Sequence, residues 1–274
     1  MKKRLCRCAL ALSLVAGVRA QPPAPTYIPQ TKFSTGQDVQ PVFEGWLRNA
    51  DGTFAMVFGY FNRNFEEELA IPAGPDNKLE PGAPDRGQPT YFLPRRQQFI
   101  FRVQVPADWG QKELVWTITA HGKTEKAYAQ LLPVEEISER MIMTHGGLNP
   151  GEDDPNQPPS ITIAQPGSAS VSMPLTLTAM VTDDGLPKPR PAPKPRPGAQ
   201  SNTVVNRPRG LNVSWLEYKG PAKVTFEPSG MIMVADGKAI TTARFAEPGT
   251  YVLRATANDG ALSTVTEITI TVTR

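Results

Sequence analysis

The segment PGTYVLRATANDG, residues 248–260, decides the fold class. Its side chains alternate between two faces, with Tyr251, Leu253, Ala255 and Ala257 on one and Val252, Arg254 and Thr256 on the other. This period of two is typical of a half-buried β-strand. The Asn-Asp-Gly that follows tolerates the positive φ angles of a hairpin turn, and residues 268–273 supply a returning strand. The segment therefore predicts a β-hairpin that closes a β-sheet.

Further strand patterns precede this hairpin. Apolar residues alternate with polar ones over residues 175–182, and Leu211, Val213 and Trp215 lead a strand whose Trp is expected between two sheets. Shorter apolar pairs complete the set, namely Ile161 with Ile163, Val224 with Phe226, and Ala243 with Phe245.

Through this Trp, the Gly-Thr-Tyr strand opening and the closing hairpin, residues 158–274 resemble the PKD (polycystic kidney disease repeat) branch of the immunoglobulin-like sandwiches. The residues that follow Trp215 are Leu-Glu-Tyr-Lys-Gly, whereas the usual PKD pattern there is Asp-Phe-Gly-Asp. The resemblance implies an immunoglobulin-like β-sandwich domain over residues 160–274.

The N-terminal half has its own strand pattern. Residues 53–61 are apolar on both faces, as expected of a central strand that is covered on both sides, and residues 49–52 predict a hairpin turn to residues 42–47. Two later runs, 99–105 and 114–120, also alternate, while Pro and Gly at short intervals predict an extended surface loop over 71–89. We expect a second β-sandwich over residues 38–143, ending in a short helix within 135–143. This half resembles the front domains of uncharacterised secreted bacterial proteins. The fold class is therefore all-β, with two immunoglobulin-like β-sandwiches.

The first 20 residues have the three parts of a secretory signal peptide: a basic start, a short apolar run and small residues before a cleavage position near Ala20. We expect a secreted or periplasmic protein with no membrane span in the mature chain. Five of the 29 basic residues, none of the 26 acidic ones and both cysteines, Cys6 and Cys8, lie in this segment. The mature chain then has a net charge of −2 and no disulfide.

Residues 144–159 form a linker by composition, rich in Pro, Gly and Asp. In an immunoglobulin-like sandwich the N-terminal linker and two of the loops lie at one pole. Five carboxylates are expected there: Asp153, Asp154, Asp183, Asp184 and Asp259. That number of oxygen ligands suits calcium, while turn formation by Asp and Asn requires no metal, and the sequence leaves both interpretations open. No other cofactor is indicated.

A basic proline-rich insertion, residues 186–210, has prolines at every second position from 187 to 197, which favours an extended backbone. It carries six cations and no acids: Lys188, Arg190, Lys194, Arg196, Arg207 and Arg209. One interpretation is an arm that binds an anionic cell-envelope polymer, a membrane surface or a protein; the other is a solvated insertion. Nucleic acid is disfavoured as a partner, because no aromatic residue lies between the charges to stack on bases.

The sequence contains no recognisable catalytic motif. The chain has two histidines, no nucleophile elbow and no phosphate-binding glycine loop. We therefore expect a secreted, non-catalytic adhesion, scaffold or surface-binding protein. The alternative is a carbohydrate-binding protein or an accessory module of an extracellular enzyme, in which Trp46 and Tyr91 would stack on sugar rings.

Overall fold

The structure is a computed structural model that describes residues 32–146, 154–188 and 210–274. Strands with alternating apolar and polar side chains form two β-sandwiches in it. Residues Lys32–Arg274 form one compact unit. The signal peptide predicted over residues 1–20 lies outside the described residues, as do residues 147–153 of the linker and 189–209 of the insertion. The described ranges contain no helix that is long and apolar enough to cross a membrane.

The N-terminal sandwich contains eight strands among the described residues. They are β1 (Val39–Arg48), β2 (Phe54–Asn62), β3 (Leu69–Ala70), β4 (Asn77–Glu80), β5 (Tyr91–Phe92), β6 (Arg95–Val105), β7 (Leu114–Ala120) and β8 (Lys123–Ala129). Sheets β1-β2-β6 and β4-β7-β8 enclose the core, and β3 pairs with β5. The central position expected for residues 53–61 is confirmed by β2, and the hairpin turn at 49–52 joins it to β1.

An aromatic cluster fills the space between these two sheets. Phe58 of β2 stacks on Phe101 of β6 at 5.3 Å between ring centroids, and both rings meet Trp116 of β7 edge-on. Such edge and stacked pairs stabilise a core beyond the apolar area that they bury. A single 3₁₀ turn (Pro133–Glu135) and a five-residue helix, α1 (Glu139–Met143), follow β8, so the short helix expected within 135–143 is present.

The C-terminal sandwich has nine strands in the described ranges. They are β9 (Ser160–Ile163), β10 (Ala169–Ser170), β11 (Leu175–Thr182), β12 (Asn212–Lys219), β13 (Val224–Glu227), β14 (Met231–Met233), β15 (Lys238–Phe245), β16 (Gly249–Asn258) and β17 (Ser263–Thr273). One sheet has the order β13-β15-β11-β9 and the other β10-β17-β16-β12-β14. The predicted closing hairpin is β16-β17, paired from Gly249–Val272 to Asn258–Ser263.

Two features of this half are typical of immunoglobulin-like sandwiches. Trp215 of β12 lies in the core between the sheets, as the sequence predicts. The hydroxyl of the fully buried Tyr251, near the start of β16, donates to the carbonyl of Glu247 at 2.8 Å, which is a tyrosine corner. The immunoglobulin-like, all-β architecture is therefore present.

The expectation of an extended surface loop over residues 71–89 holds only for the largely exposed residues 81–87 and is wrong for the rest of the segment. This segment contains β4, and Asn77, Leu79 and Gln88 are fully buried. The Asn77 amide donates to the carbonyls of Ile71 and Pro89 at 2.9 and 2.8 Å, and its oxygen accepts from the indole of Trp116. Buried amide side chains thus satisfy carbonyls of a proline-rich segment, and this allows both ends of the segment to pack against the domain core.

Candidate functional site

Asn156 and two of the predicted carboxylates, Asp183 and Asp259, meet at one pole of the C-terminal sandwich. Asn156, which is almost fully buried, donates from its amide to Asp259 Oδ2 at 3.1 Å. Asp183 lies near Asp259, and both line a cavity of roughly 360 Å³ at the foot of the basic insertion. Burial, followed by the neighbouring charges of Asp259 and Asp184, raises the pKa of Asp183.

Several of the carboxylate oxygens at this pole accept backbone hydrogen bonds. Asp259 Oδ1 accepts from the amides of Ala261 and Leu262, and the two oxygens of Asp184 accept from Leu186 and Gln157. Asp183 Oδ2 accepts from Gly185, while its Oδ1 is buried and has no hydrogen-bond partner among the described residues. The bonds from Ala261, Leu262, Leu186 and Gly185 are the short-range bonds by which Asp initiates turns, whereas the Gln157 bond ties Asp184 to the segment before β9.

The two predicted calcium ligands of the linker are Asp153 and Asp154. Asp154 accepts from the backbone amide of Asn156 and lies 3.2 Å from the Arg140 guanidinium, while Asp153 lies outside the described residues. Within the part of the chain that the structure describes, no group of three or more His, Cys, Asp or Glu side chains is placed to hold a metal ion. The turn hydrogen bonds that the sequence offered as the alternative are present, and calcium binding by these carboxylates stays a prediction.

Both ends of the basic insertion are held on the protein surface. On the β11 side, Asp184 accepts from the backbone amide of Leu186 and from that of Gln157, which precedes β9. On the β12 side, the Asn212 amide donates to the carbonyls of Gly210 and Asn258 at 2.9 and 3.1 Å. The two points at which the insertion leaves the sandwich are therefore fixed by hydrogen bonds.

The predicted cations of the insertion fall only partly within the described residues. Lys188, close to the β11 end, is exposed. The other five lie outside the described residues: Arg190, Lys194, Arg196, Arg207 and Arg209. Their contact with an anionic partner stays a prediction.

The two aromatic residues expected to stack on sugars are buried, so that expectation is corrected. Trp46 is 3% exposed, packs edge-on against Phe54 and donates its indole N–H to the carbonyl of Leu132 at 2.8 Å. Tyr91 is 5% exposed, and its hydroxyl donates to Glu68 at 2.7 Å. Rings that are buried to this extent have no free face on which a sugar could stack.

A contact surface that the sequence did not reveal joins the two sandwiches, and we call it the seam. Its centre is Tyr218 of β12, which is 4% exposed and belongs to the core of the N-terminal sandwich. Leu216 and Val252 pack against the same core from the outer face of the C-terminal sheet. The Thr90 amide donates to the Tyr218 carbonyl at 3.2 Å, and the Tyr218 hydroxyl donates to the Gly87 carbonyl. Burial raises the pKa of Tyr218, which keeps this hydroxyl protonated.

Arg254 of β16 crosses the seam. Its side chain lies 3.8 Å from the centroid of the Tyr218 ring, and it donates to the Ile100 carbonyl of β6 at 2.6 Å. Its remaining N–H groups bind Glu267. The pairing of β2 with β6 shifts register between Phe58 and Tyr60, and Ile100 lies in the resulting bulge. A bulge redirects the groups of a strand, and here it leaves a carbonyl for Arg254.

Ion pairs and a buried acid complete the seam. Lys223 binds Glu68 at 2.8 Å, and Lys219 lies 3.3 Å from Asp85. Glu217 of β12 is 3% exposed and shares the inward phase of the core Trp of that strand. An acidic residue on the core-facing side of a strand is rare, and this was the one feature of the sequence that could have indicated a site near Glu217.

The two histidines lie in different surroundings. His121 lies 3.1 Å from Glu67. His145 contacts Ser263, whose hydroxyl donates to the Met143 carbonyl at 2.9 Å and therefore accepts from the imidazole. Desolvation lowers the pKa of His145. In this geometry the imidazole gives a hydrogen bond to the serine, whereas a general base would accept one.

Comparison with known proteins gives no family. No protein-family model matches the chain, and no curated protein matches it. A conjugative transposon lipoprotein from Bacteroides eggerthii is 9% identical, with a TM-score of 0.27, and the match covers 41% of this chain and 96% of that one. The D00-D0 domain of intimin is 13% identical, also with a TM-score of 0.27, covering 85% of this chain and 99% of that one. Scores this low support no conclusion about function.

Proposed function

We propose that this protein is a non-catalytic scaffold that works outside the cytoplasm and presents its basic insertion to an anionic partner. The observation that supports this best is the anchoring of both ends of the insertion. Asp184 holds one end and Asn212 the other, on a sandwich that the seam joins to a second sandwich. The two points at which the insertion is attached are therefore tied to the C-terminal sandwich.

The charge distribution supports an anionic partner. The insertion carries six cations and no acids, so the rest of the mature chain has a net charge of −8. Cations concentrated on one segment attract anionic surfaces, and the attraction weakens as salt screens it. We also propose that the C-terminal sandwich belongs to the PKD branch of the immunoglobulin-like sandwiches and that a signal peptide is cleaved near Ala20.

Vesicle binding tests the proposed partner. We expect the purified protein to bind phosphatidylcholine vesicles that contain phosphatidylglycerol, to release them at high salt and not to bind vesicles of phosphatidylcholine alone. Replacing the six cations of the insertion with Gln should abolish this binding. A control variant of equal charge replaces six exposed cations elsewhere: Lys32, Lys112, Lys126, Lys238, Arg244 and Arg274. Equal losses in the two variants would reject a specific role for the insertion.

A further inference from the structure

One of the two carboxylate oxygens of Glu217 lacks a hydrogen-bond partner in the part of the chain that the structure describes. Oε2 accepts from the Val224 amide at 2.9 Å, while Oε1 is buried and has no partner among the described residues. An ionised carboxylate with an unpaired buried oxygen is costly, because burial removes the water that would stabilise the charge.

The unpaired oxygen lies next to the seam. A Cβ atom added to Gly220 would overlap Glu217 Oε1 and the ring of Tyr251, so the carboxyl group lies against the Gly220 backbone. The Gly220 amide donates across the seam to Thr90 Oγ1 at 3.3 Å. A change in the carboxyl group would therefore act on a residue that bonds to the other sandwich.

The charged and titratable groups around Glu217 favour its neutral form. Glu68 of the N-terminal sandwich opposes a negative charge on it, and Lys223, the cation that favours the charge, is already paired with Glu68. Tyr91 of β5 and Tyr251 of β16 also face it, and burial, with the charge of Glu217 as a smaller cause, raises the pKa of each. Burial, with Glu68 as a smaller cause, raises the pKa of Glu217 to about 8.

We propose that Glu217 is a proton-operated latch of the seam, closed when its carboxyl group is neutral and weakened when that group loses its proton. The proposal extends the scaffold function by giving the joint between the sandwiches a dependence on pH. The sign follows from the direction of the shift. The folded protein keeps a proton that the unfolded chain has released, so this stabilisation is complete below the ordinary carboxyl pKa and is lost as pH rises towards 8.

Hydrogen exchange at the seam amides of Thr90 and Gly220 tests the latch in the full chain. After correction for intrinsic exchange, we expect their protection to fall about tenfold or more from about pH 6 to about pH 8 and to level off towards pH 9, since each pH unit below the folded pKa changes the equilibrium up to about tenfold. Glu217→Gln should remove this dependence. The exposed Glu227 of β13 provides the control variant Glu227→Gln, which should behave as the wild type.

Two results would overturn the latch: wild-type protection that does not change over this range, or an unchanged pH dependence in Glu217→Gln. If that variant does not fold, a pH titration of the Glu217 carboxyl carbon shift in the wild-type protein, followed by NMR, tests the latch by its midpoint. A midpoint near 8 supports the proposal, and one near the ordinary value of 4.5 rejects it. Vesicle binding depends on the cations of the insertion, so failure of the latch and failure of the anionic partner are distinguishable.

Discussion

Replacing Arg254 with Ala should weaken the seam more than any exposed substitution. The change removes a charged hydrogen bond to the Ile100 carbonyl, for which about 1.5–3 kcal/mol is typical, and a desolvated cation–π contact with Tyr218, for which about 1–2 kcal/mol is typical. The pair with Glu267 adds little, because that carboxylate is 40% exposed and solvated. These contributions overlap, so we expect a loss of about 3 kcal/mol in the free energy of unfolding.

Urea unfolding followed by circular dichroism measures this loss. Arg244 provides the control, since it lies exposed on β15 of the same sandwich, and Arg244→Ala should change stability by less than about 0.5 kcal/mol. Arg254→Lys should fall between the two, because lysine keeps the charge but lacks the planar group that stacks on Tyr218 and bonds to Ile100 at once. An Arg254→Ala loss no larger than that of the control would refute the role assigned to Arg254.

Three further substitutions test individual contacts by the same unfolding measurement. Asn77→Ala should cost about 3 kcal/mol or more, because it leaves buried carbonyls and the Trp116 indole without partners; a loss under about 1 kcal/mol would contradict its bridging role. Tyr251→Phe should cost about 1 kcal/mol through the lost bond to the Glu247 carbonyl, and no loss would show that the corner adds no stability. Gly220→Ala should cost about 2 kcal/mol through overlap, while Gly167→Ala, with open space around it, should be nearly neutral; equal effects would argue against tight packing at Gly220.

The strands were predictable where one face is buried and the other is solvated. In β11 and β16 the alternation of side chains shows directly which residues enter the core. Strand β8, with the sequence KTEKAYA, was missed because it buries only two alanines and offers little contrast. The two ends of residues 71–89 were misassigned because prolines suggest solvent, whereas the buried side-chain amides of Asn77 and Gln88 bond to proline carbonyls there.

The polar pole was predictable from topology, and the seam was not. The loop positions of an immunoglobulin-like sandwich were enough to bring Asp183 near Asp259, although sequence could not show which oxygens the turns occupy. Tyr218 and Arg254 lie on the outer faces of their strands, where alternation alone indicates solvent. Only the packing of the second sandwich shows that these outer faces are covered.

Residual dipolar couplings test most directly whether the two sandwiches form one body. Backbone couplings from β2 and β6 report the alignment of the N-terminal sandwich, and those from β11 and β16 report the C-terminal one. Because Tyr218 and Arg254 lock the seam, we expect a single alignment tensor to fit both sets at neutral pH. Two tensors of different magnitude would show that the sandwiches move independently and would contradict the seam.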